Sequence, residues 1–101
     1  MAYQIIYKKR VVNKILNLLE YLNLHWGSKV TEEFLNNFAS KIEAISKYPN
    51  IGSASEKQIG IRVFLITEHN KIYYRIKGEV IEVVNIYDTR INPSKNIYKK
   101  K

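Results

Sequence analysis

Hydrophobic positions along this chain change their period as it proceeds. From Tyr3 to Tyr7 they alternate, with Tyr3, Ile5 and Tyr7 set against Gln4 and Ile6, which is the period of a strand. Beyond Lys8-Lys9-Arg10 the spacing widens. Val11, Val12, Ile15, Leu16, Leu19, Leu22 and Trp26 recur every three or four residues and make one apolar stripe on an amphipathic helix. Gly27 follows as a left-handed stop, and Ser28 is placed to cap a second helix with Glu32 and Glu33 in its first turn. Its seam is Val30, Phe34, Phe38, Ile42 and Ile45, flanked by Leu35; Lys47 closes it and Pro49 ends it. With only Gly27-Ser28 between them, the two helices must fold back as an antiparallel hairpin.

From Gly60 the period of two returns. Ile61, Val63 and Leu65 oppose Arg62, Phe64 and Ile66; Ile72, Tyr74 and Ile76 oppose Tyr73, Arg75 and Lys77. Along Glu79–Tyr87, Val80, Glu82, Val84 and Ile86 oppose Ile81, Val83, Asn85 and Tyr87. Glu68-His69-Asn70 and Gly78 interrupt the runs where hairpins need turns, so these three strands read as an antiparallel meander. The order β-α-α-β-β-β predicts an α+β fold: an antiparallel β-sheet with an N-terminal strand and a two-helix hairpin packed on one face. Tyr48–Ile59, with Pro, Gly and two Ser, reads as a loop rimming the opposite face. That opposite face is expected to keep Arg62, Arg75 and Asn85 within reach of solvent.

Composition narrows the function. At 101 residues the chain is expected to be a single domain, residues 1–101, with a basic tail from about residue 94. Without cysteine there is no disulfide framework, thiol nucleophile or Cys-based zinc site. No apolar run approaches the roughly 20 residues that span a bilayer, and the first ten residues are no signal peptide, so a cytoplasmic protein with no membrane partner is expected. The formal net charge is +8, from 17 Lys and Arg against 9 Asp and Glu. It is uneven: from Thr89 onward Arg90, Lys95, Lys99, Lys100 and Lys101 meet no acid. Such a surface attracts polyanions, whether nucleic acid, anionic membrane or acidic protein.

Chemical motifs are few. His25 and His69 lie in different elements with no ligand at metal-binding spacing, and there is no glycine-rich phosphate loop, so neither metal nor cofactor is expected. What remains is a cationic, aromatic, amide-bearing face: Arg62, Arg75, Asn85, Tyr87 and Arg90, with Lys57 on the loop and Lys95 in the tail. Guanidinium forks match phosphate and carboxylate. In a metal-free nuclease they would stabilise charge building up at phosphate, with Glu56 or Lys57 as base and Tyr87 as acid. The competing reading has Tyr87 packed at the sheet end and Arg75 in a surface ion pair.

The element order, together with HWGSKVTEEFLNNFASKIEAISKYPNIG, GIRVFLITEHNKIYYRI and VVNIYDTRINP, resembles the RelE/ParE superfamily of bacterial toxins from about Tyr3 to Pro93. The resemblance implies the toxin of a type II toxin–antitoxin system, neutralised by a co-expressed acidic antitoxin that wraps it. RelE-like members cut mRNA on the ribosome; ParE-like members inhibit DNA gyrase. Arg62 matches the arginine early in the second strand of RelE-like proteins and Arg90 the one after the last strand, so Arg62, Arg90 and Tyr87 are the catalytic candidates if the chain is a nuclease. The D-T-R-x-N-P ending is more ParE-like, which makes gyrase the favoured target. The ribosome and mRNA are the alternative, and an inactive basic antitoxin-binding module is a third reading. Whether the chain is an enzyme turns on that choice.

Overall fold

Two helices cover one face of a five-stranded sheet in a computed structural model that describes residues 2–88. The elements in chain order are β1 (Gln4–Tyr7), α1 (Lys9–Trp26), α2 (Ser28–Lys47), a short 3-10 turn (Pro49–Ile51), β2 (Ser53–Ala54), β3 (Arg62–Leu65), β4 (Asn70–Lys77) and β5 (Val80–Asp88). Sheet order is β1-β5-β4-β3-β2. The meander β3-β4-β5 is antiparallel, as its alternation and turns predict.

The sheet is nevertheless mixed, not purely antiparallel. β1 joins the outer edge of β5 and runs parallel to it, with Gln4 opposite Val80 and Tyr7 opposite Val83. The direction follows from what comes next. Lys8 donates its backbone N–H to the Val83 carbonyl, and the chain then turns into α1, which continues beside β5 and packs over it. An antiparallel β1 would deliver the chain to the wrong end of β5 for that packing. The expected loop before β3 also contains more order than its composition suggests: a 3-10 turn started by Pro49, and β2, which adds a two-residue fifth strand against Val63 and Arg62.

The helix-side core joins Val11, Leu18 and Leu22 of α1 and Phe34 and Ile45 of α2 to Ile66, Ile72, Tyr74, Ile81, Val83 and Ile86 of the sheet segment. Val30, Phe38 and Ile42 flank it as the seam predicts. In α1 the stripe is rotated: Leu18 is buried, whereas Leu16 and Trp26 are 60% and 53% exposed. The buried arc is narrower than the apolar one, because a helix at the sheet margin meets the core along one line only. Ser28 makes no side-chain cap bond; Gly27, at φ 90°, occupies the position before α2, and the Thr31 hydroxyl donates to its carbonyl. Glu32 and Glu33 fall beyond the first turn.

One irregularity decides which residues face which way. β4 and β5 pair in register from Asn70–Asp88 to Tyr73–Asn85, and then from Tyr74–Val83 to Lys77–Val80. Val84 is the extra residue of a β-bulge. Strict alternation would set Asn85 and Tyr87 on the same face as Ile81 and Val83. The bulge reverses that parity, so Ile86 enters the helix-side core while Asn85 pairs with Tyr73 on the other face. On that second face Ile61, Tyr73 and Val84 form a small cluster, with Val63 and Tyr87 against it.

Candidate functional site

The second face carries a line of charge beside α1. Glu82 sits at its centre, accepting from Arg75 Nε at 2.7 Å and lying 3.4 Å from Lys8 Nζ. Arg75 and Glu82 are direct cross-strand partners on β4 and β5, which is why they meet. The hydrogen bond from Arg75, and the bond and charge from Lys8, hold the Glu82 carboxyl below the usual carboxylate range against the burial that would raise it. The first cation of the Lys8-Lys9-Arg10 cluster is therefore committed to this pair.

Farther along β5, α1 takes over the strand edge that β1 leaves uncovered. Arg10 donates through Nε to the Val84 carbonyl at 2.8 Å. One turn later, Lys14 donates to Asn85 Oδ1 at 2.7 Å, and its ammonium sits 4.1 Å from the centre of the Tyr87 ring. Burial, and then the charge of Arg10, push the Lys14 ammonium's pKa down. Asn85 Oδ1 also accepts the Ile86 N–H, and Asn85 Nδ2 donates to the Tyr87 hydroxyl at 3.3 Å. Tyr73 meets the Tyr87 ring edge-on, centroids 5.7 Å apart. Asn85 and Tyr87 are thus held by contacts on several sides, and Asn85, expected within reach of solvent, is buried at 4% exposure because Lys14, Tyr87 and the Ile86 N–H enclose its amide.

Arg62 departs from expectation. It does not share the second face with Arg75 and Asn85. Its cross-strand partner is Tyr74, whose ring is in the helix-side core, and its own neighbour on that face is Phe64. Arg62 Nη1 donates to the Gly52 carbonyl at 2.6 Å and more weakly to that of Asn50. The Tyr74 hydroxyl works on the same segment, donating to Pro49 O at 2.6 Å and accepting the Gly52 N–H at 2.9 Å. The YPNIG, GIR and YYRI stretches of the sequence therefore meet as one structural latch. Arg62 serves the backbone there.

Lys57 is exposed on the 55–61 loop, where the Ser55 hydroxyl accepts the N–H groups of Lys57 and Gln58. Arg90, Lys95 and the basic tail lie outside the described residues. Asp88, at the end of β5, is buried and accepts a 2.5 Å hydrogen bond from Asn70 Nδ2. Spacing alone did not single out Lys8, Arg10, Lys14 or Glu82 as part of this face. The readable signal was a cation one helical turn after Arg10, on the same side of the helix.

Other features lie apart from this line. A groove of about 550 Å³ runs between β1 and α2, bounded by Ile5, Tyr7, Phe38 and Ile42 among others, and shares no residue with the charged line. Among the described residues no group of His, Asp and Glu could hold a metal ion, and no helix is long and apolar enough to cross a membrane.

No protein-family model matches the chain. Toxin ParE3 of Caulobacter vibrioides is 31% identical over 75 residues, which make up 73% of this chain and 74% of the relative. Among solved structures, the chromosomal ParDE toxin–antitoxin system of P. aeruginosa superposes with a TM-score of 0.73 at 11% identity, covering 86% of this chain and 96% of that one. A double arginine-to-alanine mutant of E. coli toxin RelE in the free state gives 0.63 at 15% identity, over 97% and 95% of the two chains. The YoeB/ParE toxin of Agrobacterium tumefaciens gives 0.57 at 13%, over 84% and 97%.

Proposed function

The chain belongs to the RelE/ParE superfamily of toxins, and from that premise we propose that it arrests growth as ParE-like toxins do, by binding DNA gyrase, until an acidic antitoxin neutralises it. Residues 1–101 act as one toxin domain in this reading. One observation carries the choice of target. Arg62 and Tyr87, two of the three candidates for strand cleavage, lie on opposite faces of the sheet. RNA cleavage at the 2′-hydroxyl requires its acid, its base and its charge-stabilising groups around a single phosphate. Residues separated by the thickness of a sheet do not converge on one. The relative named Toxin ParE3 supports the same side of the family.

Arg75, Asn85 and Tyr87 on the second face, with Lys57 on the loop, are the proposed binding residues. Arg90 and Lys95 belong to the proposal on sequence grounds alone. Inducible expression without antitoxin tests the reading, with plasmid supercoiling and transcript integrity measured in the same cells. Gyrase binding predicts growth arrest with loss of negative supercoiling and intact transcripts. Cut messages with normal supercoiling would assign the chain to the ribosome-dependent nucleases. No growth defect at all would leave an inactive antitoxin-binding module.

A further inference from the structure

Lys8, Arg10 and Lys14 follow β5 in step, reaching Glu82, Val84 and Asn85 in turn. The first of these positions shows what the line is chemically suited to hold: a carboxylate, seated between Lys8 and Arg75. Among the described residues Arg10 and Lys14 make no salt bridge, although they are neighbours on one helix face and the charge of one weighs on the other. Among the described residues Arg10 makes one side-chain hydrogen bond, from Nε to Val84, and its two terminal nitrogens are left for an incoming oxygen. Lys14 keeps donors beyond the one given to Asn85. Two cations are thus held side by side with donors to spare.

We propose that Arg10 and Lys14 form a carboxylate-binding lip that receives acidic side chains of a protein partner, the antitoxin. This rests on the toxin–antitoxin reading. Carboxylate is favoured over nucleic acid because of Tyr87. Binding a single strand here would need an open ring for base stacking, but Lys14 covers one face of that ring and Tyr73 meets it edge-on. Glu82 in the same line already shows how a carboxylate fits between cations there. An antitoxin segment seated on the lip would lie beside Asn85 and Tyr87 and shield the proposed target-binding face.

The test uses the full-length chain and two fluorescent probes, a ten-residue oligoglutamate and a single-stranded ten-nucleotide DNA. R10Q/K14Q is compared with K29Q/K47Q, which removes the same charge from α2. The lip predicts that R10Q/K14Q weakens oligoglutamate binding roughly fivefold or more, while K29Q/K47Q changes it less than about twofold. Equal losses in both pairs would reduce the effect to net charge and overturn the site. Tighter binding of the DNA, lost selectively in R10Q/K14Q, would assign the pair to nucleic acid and overturn it as well. If R10Q/K14Q fails to show a cooperative melt, K14Q alone carries the comparison against K29Q. Growth arrest by the unaltered chain reports separately on the toxin reading, so the site can fail while that reading stands.

Discussion

The Tyr74 hydroxyl and the Gly52 backbone N–H lie 2.9 Å apart in a buried hydrogen bond that ties the centre of the sheet to the turn after α2. A Cβ at Gly52 would meet that hydroxyl at 2.7 Å and the Val63 carbonyl at 2.8 Å. The Tyr74 ring is fully buried and cannot swing aside. G52A should therefore cost about 1–3 kcal/mol from overpacking, or roughly 4–8 °C of melting temperature per kcal/mol in a domain of this size. Y74F leaves the Gly52 N–H and the Pro49 carbonyl without their partner, again about 1–3 kcal/mol. Because Y74F also removes half of the clash, the double variant should melt above the sum of the single effects. Strict additivity in a thermal melt would contradict this geometry.

Arg62 donates to the Gly52 and Asn50 carbonyls beside the same latch. R62A should cost about 1 kcal/mol, since water can replace part of what it offers there. Amide exchange should speed up around residues 49–53 before it does so elsewhere. In a growth assay, arrest should fall only as far as the loss of folded protein explains. Complete loss of arrest in a variant that remains folded would return Arg62 to the role of a phosphate-binding group.

Glu82 links stability to pH. Its folded pKa lies below the ordinary value of 4.5, first because Arg75 donates to it and then because Lys8 does. A depressed carboxylate contributes stability that is fully present above the unfolded value and is lost as pH falls through the lower folded value. Between pH 6 and pH 3 the melting temperature of the wild-type chain should drop more steeply than that of E82Q. Parallel curves for the two would show that the pair with Arg75 contributes nothing to folding.

Val84 sets the parity of the last strand. Deleting it should remove the bulge and join the two registers, leaving Asn85 opposite Tyr73 and Ile86 opposite Ile72 on their present faces. The deletion variant should keep its cooperative thermal transition and the Tyr73–Tyr87 ring contact, read by NMR. Loss of that contact in a variant that still melts sharply would mean that the strand had slipped by one residue and turned Tyr87 toward the helices.

Local pattern was enough for the helical hairpin, the meander and the helix-side identity of Ile72, Tyr74, Phe34 and Ile45, because periodicity is a property of neighbours in the chain. Strict alternation grouped Asn85 and Tyr87 with Ile81 and Val83, since a bulge adds one residue without any mark in the pattern, although the second face expected for their chemistry is the one they occupy. Arg62 was placed on the same face as Phe64 by its spacing, yet was expected in solvent with Arg75. Its true occupation depends on the carbonyl of Gly52, ten residues earlier.

Charge, the absence of cysteine and the order of elements were determined by the sequence itself, and with them the family. Tertiary structure decided the parallel direction of β1, the pairing of Glu82 with Arg75 and Lys8, and the approach of Arg10 and Lys14 to β5. The reason is physical: helix and strand periods arise from bonds spanning a few residues, whereas Lys14 and Asn85 meet only after the whole hairpin and meander have packed.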